Sequence, residues 1–270
     1  MTPDRPVVCC DLDGVVWRGE EPIPGAGAAI ADLRTAGSRV VFVSNNSSQP
    51  VGEVAAKLGA AGVPASSDDV VTSAVSAATL LASALEPGAP VLACAGPGVI
   101  EALEAVGLRP VTRPPATAVA AVVVGLHRGF DFDELDRASA AVRAGARFVA
   151  TNLDATYPVP GGMIPGSGAI AAAVATAAGR APEVAGKPEQ PMVDLIRTRF
   201  GSAGVVVGDR PSTDGALATA LGWPFALVLS GVTQREPRPG GETVPEPPPP
   251  FVAADLAALV PQLVEATTAG

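Results

Sequence analysis

Short apolar runs rich in β-branched residues recur along the chain, and each gives way to a polar turn, an alanine-rich stretch ended by glycine, and another apolar run. Val40 to Val43, Leu108 to Val111, Phe148 to Ala150 and Val205 to Val207 have the continuous apolar character of strands buried on both faces, as in a parallel sheet. Gly37, Gly107 and Gly145 stand just ahead of three of them, where the left-handed residue past a helix end suits glycine. This alternation predicts βαβ units and an α/β fold. The uneven spacing excludes a solenoid repeat.

The pattern restarts after the Pro87-Gly88 turn with a strand from Val91 to Ala95 and a helix from Val99 to Val106. Two further strands, Val119 to Val124 and Phe148 to Thr151, flank a helix spanning Asp133 to Arg143. The stretch closes near Ala181-Pro182, after a helix from Ala169 to Ala178. We therefore expect an inserted domain, 87–181, within a domain made of 1–86 and 182–270. Glu236 to Pro250 is rich in Pro and Gly and predicts an extended loop without core contacts. Leu256, Leu259, Val260 and Leu263 share one face of a last helix, which should return to the sheet.

Composition narrows the chemistry. A net charge of −9 and a pI near 4.6 argue against a nucleic-acid partner, which needs a basic face. The longest apolar runs, Ala116 to Leu126 and Ala169 to Ala178, reach about half the length of a bilayer span. Met1 to Pro6 carries Asp4 and Arg5 ahead of a short apolar run, unlike a signal peptide, so a cytoplasmic location is expected. Cys9 and Cys10 are adjacent in a strand, point to opposite faces, and read as inert core residues of a reducing compartment. His127 is the single histidine, which excludes a His-rich metal site, and no Gly-x-Ser-x-Gly elbow accompanies it. Only two of the 18 basic residues are lysines, Lys57 and Lys187. Lys57, among helix-pattern alanines, reads as surface.

In open α/β sheets ligands bind outside the carboxyl ends of the strands. Three strand ends stand out. Val7 to Cys10 runs into Asp11-Leu12-Asp13-Gly14, with two carboxylates on one side and a glycine for a sharp exit. Val40 to Val43 runs into Ser44-Asn45-Asn46, either a plain helix cap or a set of short donors for phosphoryl oxygens. Val205 to Val207 runs into Gly208-Asp209-Arg210-Pro211-Ser212-Thr213-Asp214. Taken together the acids supply hard oxygen ligands suited to Mg2+ rather than zinc. Lys187, in Gly186-Lys187-Pro188, is the cation that such a cluster of acids with a phosphate dianion would require. Gly25-Ala26-Gly27 and Gly96-Pro97-Gly98 lack the third glycine of a dinucleotide fingerprint and read as helix-entry turns.

Four motifs in this order around an insert of this size resemble the haloacid dehalogenase superfamily of aspartyl phosphatases. The chain is most similar to the subfamily with an α/β (C2-type) cap between the second and third motifs: NagD-type sugar phosphatases, 4-nitrophenylphosphatases, glycerol-phosphate phosphatases and pyridoxal phosphatase. The resemblance runs from Val7 to about Leu259. It implies a Rossmann-like parallel-sheet core with an inserted cap. It also implies a Mg2+-dependent phosphomonoesterase with Asp11 as nucleophile and Asp13 as general acid and base. Mg2+ would be held by Asp11, the Asp13 carbonyl and Asp209, with Asp214 beside them; Ser44, Asn45, Asn46 and Lys187 would hold the phosphoryl oxygens.

The chain departs from the pattern at Val15, where many relatives have Thr, and at Pro211, which stiffens the fourth motif. Tyr157 falls in the cap loop 150–158, where pyridoxal phosphatases have a substrate-facing histidine, and is taken as a substrate contact. His127 is read as a cap-surface or loop residue. The expected substrate is glycerol phosphate or a sugar phosphate, with specificity set by residues 125–130 and 150–163. The alternatives are a nucleotide or pyridoxal phosphatase of the same family, phosphoryl transfer to another acceptor, and a non-catalytic phosphometabolite-binding protein. The resemblance leaves a homodimer open.

Overall fold

The computed structural model describes residues 6–113, 115, 118–159, 162–235 and 241–268. The first five residues, Ala116 and Thr117 of one apolar run, residues 160–161 of the cap loop and Glu236 to Gly240 of the Pro- and Gly-rich loop lie outside them. Two compact units form: residues 1–44, 54–71 and 196–270, and residues 45–53 and 72–195.

The chain begins in the first unit with β1 (Val7–Cys10), the short hairpin of β2 (Trp17–Arg18) and β3 (Glu21–Pro22), α1 (Ala26–Thr35) and β4 (Arg39–Ser44), followed by α2 (Val51–Ala60) and β5 (Val70–Thr72). The second unit runs through α3 (Ser73–Ala82), β6 (Pro90–Cys94), α4 (Pro97–Ala105), β7 (Arg109–Val111), β8 (Ala121–Val124) and α5 (Phe132–Arg143). It continues with β9 (Arg147–Ala150), β10 (Thr156–Val159), β11 (Gly162–Pro165), α6 (Ser167–Ala178), β12 (Glu183–Val184) and α7 (Gln190–Phe200). The first unit resumes with β13 (Gly204–Gly208), α8 (Ala216–Leu221), β14 (Phe225–Val228), β15 (Thr233–Gln234), β16 (Glu242–Thr243), β17 (Phe251–Ala253) and α9 (Leu256–Thr268).

The first unit is built on a six-stranded sheet ordered β17-β14-β13-β1-β4-β5. All four residues of β1 are buried, as a central parallel strand covered on both faces requires. Cys10, the last residue of β1, lies opposite Phe42 of β4 and Val207 of β13, and those two strands run on by two residues and by one. The chain leaves β1 toward β4 and β5 and returns on the other side through β13, β14 and β17. This reversal is where an open α/β sheet forms its ligand crevice. Leu256, Leu259, Val260 and Leu263 are buried in α9, which packs on α1 and β17 as expected. The described part of the Pro- and Gly-rich loop makes surface contacts: β16 pairs with β15, and Glu242 accepts bonds from Ser212 N–H (3.0 Å) and the Ser212 hydroxyl (2.5 Å).

The second unit carries a five-stranded sheet, ordered β12-β9-β8-β6-β7 and parallel throughout, together with the β10–β11 hairpin. One face packs against α3 and α4 and the other against α5 and α6. Gly37, Gly107 and Gly145 end their helices with φ of 94°, 78° and 106°, as their positions ahead of strands predict. The two glycine-flanked strings also behave as helix entries. Gly25 is the N-cap of α1, and Gly96 caps α4 with Pro97 at its first position. Phe42 is fully buried in β4. Phe42→Ala should lower unfolding stability by about 3–5 kcal/mol, measured by urea denaturation at constant m value.

Candidate active site

Asp11 follows β1, and its N–H donates to Val207 O of β13 (2.9 Å), which fixes the first residue past the strand. Beyond it the chain turns tightly: Leu12 O accepts from Val15 (3.2 Å), Val16 (2.9 Å) and Trp17 (3.3 Å). The turn brings Trp17 back onto Asp13, and the indole Nε1–H donates to Asp13 Oδ1 at 3.1 Å. Lys57 is not the free surface residue that its alanine-rich helix suggests. Its ammonium lies 4.5 Å from the centre of the Trp17 ring and donates to Gly19 O (2.8 Å) and Glu20 Oε1 (3.3 Å).

The third strand end is shaped by a wide helical turn over Pro211–Gly215. Arg210 O accepts from Thr213 (3.2 Å), Asp214 (2.8 Å) and Gly215 (3.4 Å), and Asp214 Oδ2 accepts from Arg210 N–H (3.1 Å). Pro211 therefore opens the turn that folds Asp214 back over the strand. A β-carbon on Gly208 would overlap the Asp214 side chain, so the close approach depends on glycine there. Asp209 Oδ2 accepts from Val232 N–H, and Thr233 N–H donates to Asp209 O (3.3 Å). The loop after β14 that supplies these donors is itself tied to the first motif, since the Ser230 hydroxyl donates to Gly14 O at 2.6 Å. Sequence reasoning missed this loop; the Gly231 that follows the apolar run Phe225–Val228 is its one local signal.

The outcome is that Asp11, Asp209 and Asp214, all buried, each bring a carboxylate oxygen within 4.8 Å of the others. Ser44 ends β4, the neighbouring strand, and is also buried. Asp13 is half-buried beside Trp17, and its side chain is not part of the three-carboxylate group.

In the second unit, Asn45 is a hub. Its Oδ1 accepts from Lys187 N–H (2.8 Å), while its Nδ2 lies 3.3 Å from both Lys187 O and Asp154 Oδ2. Its carbonyl accepts from the Ser73 hydroxyl (2.6 Å) and from Asn152 Nδ2 (2.7 Å). Lys187, 5% exposed, is thus held by its own peptide through the Asn45 amide. Asn46 Nδ2 donates to the Tyr157 hydroxyl (3.1 Å) in β10, and Asn46 Oδ1 accepts from Ser48 N–H (2.9 Å) and the Ser48 hydroxyl (2.7 Å). Both second-motif amides therefore anchor other expected site residues. His127, read from sequence as a cap-surface or loop residue, lies in the loop after β8 with its side chain 14% exposed and Nε2 3.2 Å from Glu134 Oε2.

Family models for haloacid dehalogenase-like hydrolases match residues 8–109, and HAD-hydrolase-like models match residues 184–259. The chain belongs to the haloacid dehalogenase-like hydrolases. It is 42% identical to the D-glycerol 3-phosphate phosphatase of Mycobacterium tuberculosis over 92% of this chain and 69% of the relative. An acid sugar phosphatase of Staphylococcus saprophyticus is 36% identical over 84% of this chain and 87% of the relative. Among solved structures, a glycerol phosphate phosphatase from M. tuberculosis in complex with magnesium superimposes with a TM-score of 0.82 at 40% identity. That match covers 94% of this chain and 76% of the other. A p-nitrophenyl phosphatase from Archaeoglobus fulgidus gives 0.84 at 30% identity, covering 98% and 100%. This chain is likewise a metal-dependent phosphatase of the family.

Its donor set fits Mg2+. Three buried carboxylates with oxygens this close are hard ligands within reach of one six-coordinate ion, and thiol and imidazole are absent from the group. The Asp209 carboxylate sits in a cradle that a β-carbon on Gly14 or Gly231 would fill. Gly231→Ala should displace that carboxylate and weaken Mg2+ binding by about 10–100-fold, as loss of a group supporting a metal ligand does. Isothermal titration with Mg2+, alongside a circular dichroism spectrum matching wild type, checks this.

Proposed function

We propose that this chain hydrolyses a small phosphorylated metabolite, glycerol phosphate or a sugar phosphate, through an aspartyl-phosphate on Asp11. The observation that carries the reading is the buried group of Asp11, Asp209 and Asp214 at the switch point of the sheet. The substrate class is supported by the two relatives that cover most of this chain, named for D-glycerol 3-phosphate and for sugar phosphates. Mg2+, held by Asp11, Asp209, Asp214 and the Asp13 carbonyl, would supply the positive charge that lets a phosphate dianion approach these acids.

In the first step a carboxylate oxygen of Asp11 attacks phosphorus and the bond to the leaving oxygen breaks. The Asp13 carboxyl gives that oxygen its proton. In the second step Asp13, now a carboxylate, takes a proton from water as the water oxygen attacks the aspartyl-phosphate. Inorganic phosphate leaves and the Asp11 carboxylate is restored. The role assigned to Lys187 and Ser44 is to hold the phosphoryl oxygens, with Asn45 positioning Lys187 through its peptide. Asn46 acts on the substrate side through Tyr157. Residues 87–181 serve in this reading as the substrate-selecting cap of a core formed by 1–86 and 182–270. A cytoplasmic setting goes with it, where the three buried cysteines stay reduced.

Phosphate release from glycerol 3-phosphate should be seen with wild type and Mg2+, and should vanish with EDTA or in Asp11→Asn. Turnover of nucleotides or pyridoxal phosphate about tenfold faster than glycerol phosphate would sink the substrate assignment. Trp17 is expected to act through Asp13. Trp17→Phe, which keeps the ring and removes the N–H, should lower kcat about tenfold with KM within about twofold, because one bond orienting the acid is lost. Steady-state kinetics on the same substrate separates the two parameters.

A further inference from the structure

The second unit holds a group of side chains that the hydrolytic reaction does not use. Cys94 is the last residue of β6, His127 lies in the loop after β8, and Glu134 is in the first turn of α5. Their donor atoms all lie within 4.8 Å of one another. Strand topology explains the meeting. From β6 the chain passes through α4 to β7 on one side, then crosses to β8 on the other, and Cys94 pairs in register with Val124. The carboxyl ends of β6 and β8 thus flank a chain reversal of the kind that opens a crevice in parallel sheets.

The geometry inside the group is that of donors converging on a shared point. His127 Nε2 lies 3.2 Å from Glu134 Oε2, within ion-pair distance, yet Nε2 is a buried atom without a hydrogen-bond partner. A buried unsatisfied imidazole nitrogen calls for an explanation. The supports around it are specific. Phe130 sets its ring edge-on to the imidazole at 6.1 Å. Asp131 caps α5 by accepting from Glu134 N–H (2.7 Å), which fixes the turn presenting the Glu134 carboxylate. The charged groups facing Cys94 and Glu134 are His127, Asp131 and Arg137.

We propose that Cys94, His127 and Glu134 form a second metal site, selective for Zn2+, with three protein ligands and one open position. Thiolate, imidazole and carboxylate are the ligand types of four-coordinate zinc, and the set is too soft for Mg2+. Ligand atoms around a tetrahedral zinc are about 3–4 Å apart, so the observed spread requires only small side-chain adjustments. Bound zinc would pin the 125–131 loop to β6 and α5. Burial, reinforced by the neighbouring Glu134 charge, pushes the Cys94 thiol well above its usual range, and burial also raises Glu134 against the pull of His127. Binding must displace these protons, so affinity should rise with pH.

The test uses the full chain, reduced, freed of metal, and titrated anaerobically with Co2+ in excess Mg2+, which occupies the carboxylate site. A near-ultraviolet thiolate-to-cobalt charge-transfer band should grow to a single equivalent and bleach when Zn2+ is added. The band should persist in Asp209→Asn and disappear in Cys94→Ser and His127→Asn. Because Cys94 is fully buried, Glu134→Gln provides a second variant, with Co2+ affinity expected to drop about tenfold or more. Absence of the band in wild type overturns the proposal. So does its survival in Cys94→Ser, which would place the thiolate at Cys9 or Cys10. These readouts do not depend on phosphatase activity, so they stand or fall separately from the hydrolytic mechanism.

Discussion

Burying three carboxylates side by side is costly unless each is hydrogen-bonded and the group is neutralised. Much of the first unit's local structure answers that constraint. The Asp11 main chain is fixed by its own N–H, which donates to Val207 O of β13. Asp209 is met by the amide of Val232, and Asp214 by the amide of Arg210. At Asp209 and Asp214 these neutral amide donors orient the carboxylates. The same constraint selects the glycines around them. The strand ends and the loop after β14 approach so closely that β-carbons at Gly208 and Gly231 would occupy the carboxylates' own space.

The amides of the second motif show a different economy. Asn45 and Asn46 follow a strand and resemble donors aimed at a ligand, yet their side chains engage Lys187, Asp154, Tyr157 and Ser48. A lysine has four carbons of freedom and loses much rotamer entropy when held. Fixing its peptide with both ends of one amide limits that freedom at the backbone, where control is strongest. The glycines at 96 and 98 serve the same segment, since a β-carbon at either would meet Ser47, Ser48 or Gln49 main-chain atoms, and Gly98 N–H donates to Ser48 O.

What was legible in sequence was what local chemistry dictates. Buried strands announced themselves by β-branched runs, helix ends by glycine, and the acids by standing just past those strands. The α/β class, most element positions and a set of four acids follow from this, and the structure groups three of them, Asp11, Asp209 and Asp214. What was not legible depends on partners far away in the chain. Lys57 looks like a solvated helix residue because Trp17, on which it stacks, is 40 positions earlier and in a two-residue strand too short to show a pattern. The β10–β11 hairpin is short, half-exposed and interrupted by Pro158, so it lacks the alternation of a longer strand. His127 is a loop residue whose neighbours were hidden for the same reason: Cys94 and Glu134 approach it from a different strand and from a helix that has not yet begun.

Asp13 shows how such distant contacts bear on chemistry. In the role proposed for it, first giving a proton and then removing one, its carboxyl must hold one place through both states. The Trp17 indole contributes a bond to that carboxyl at 3.1 Å, and the indole is in turn held by the Lys57 ammonium over its face, itself anchored to Gly19. Because an indole can only donate, it bonds the Asp13 carboxyl through a neutral N–H. Thus the chain turns one of its two lysines into a support for the proposed acid through an aromatic ring, reaching Asp13 from a helix position 40 residues beyond Trp17.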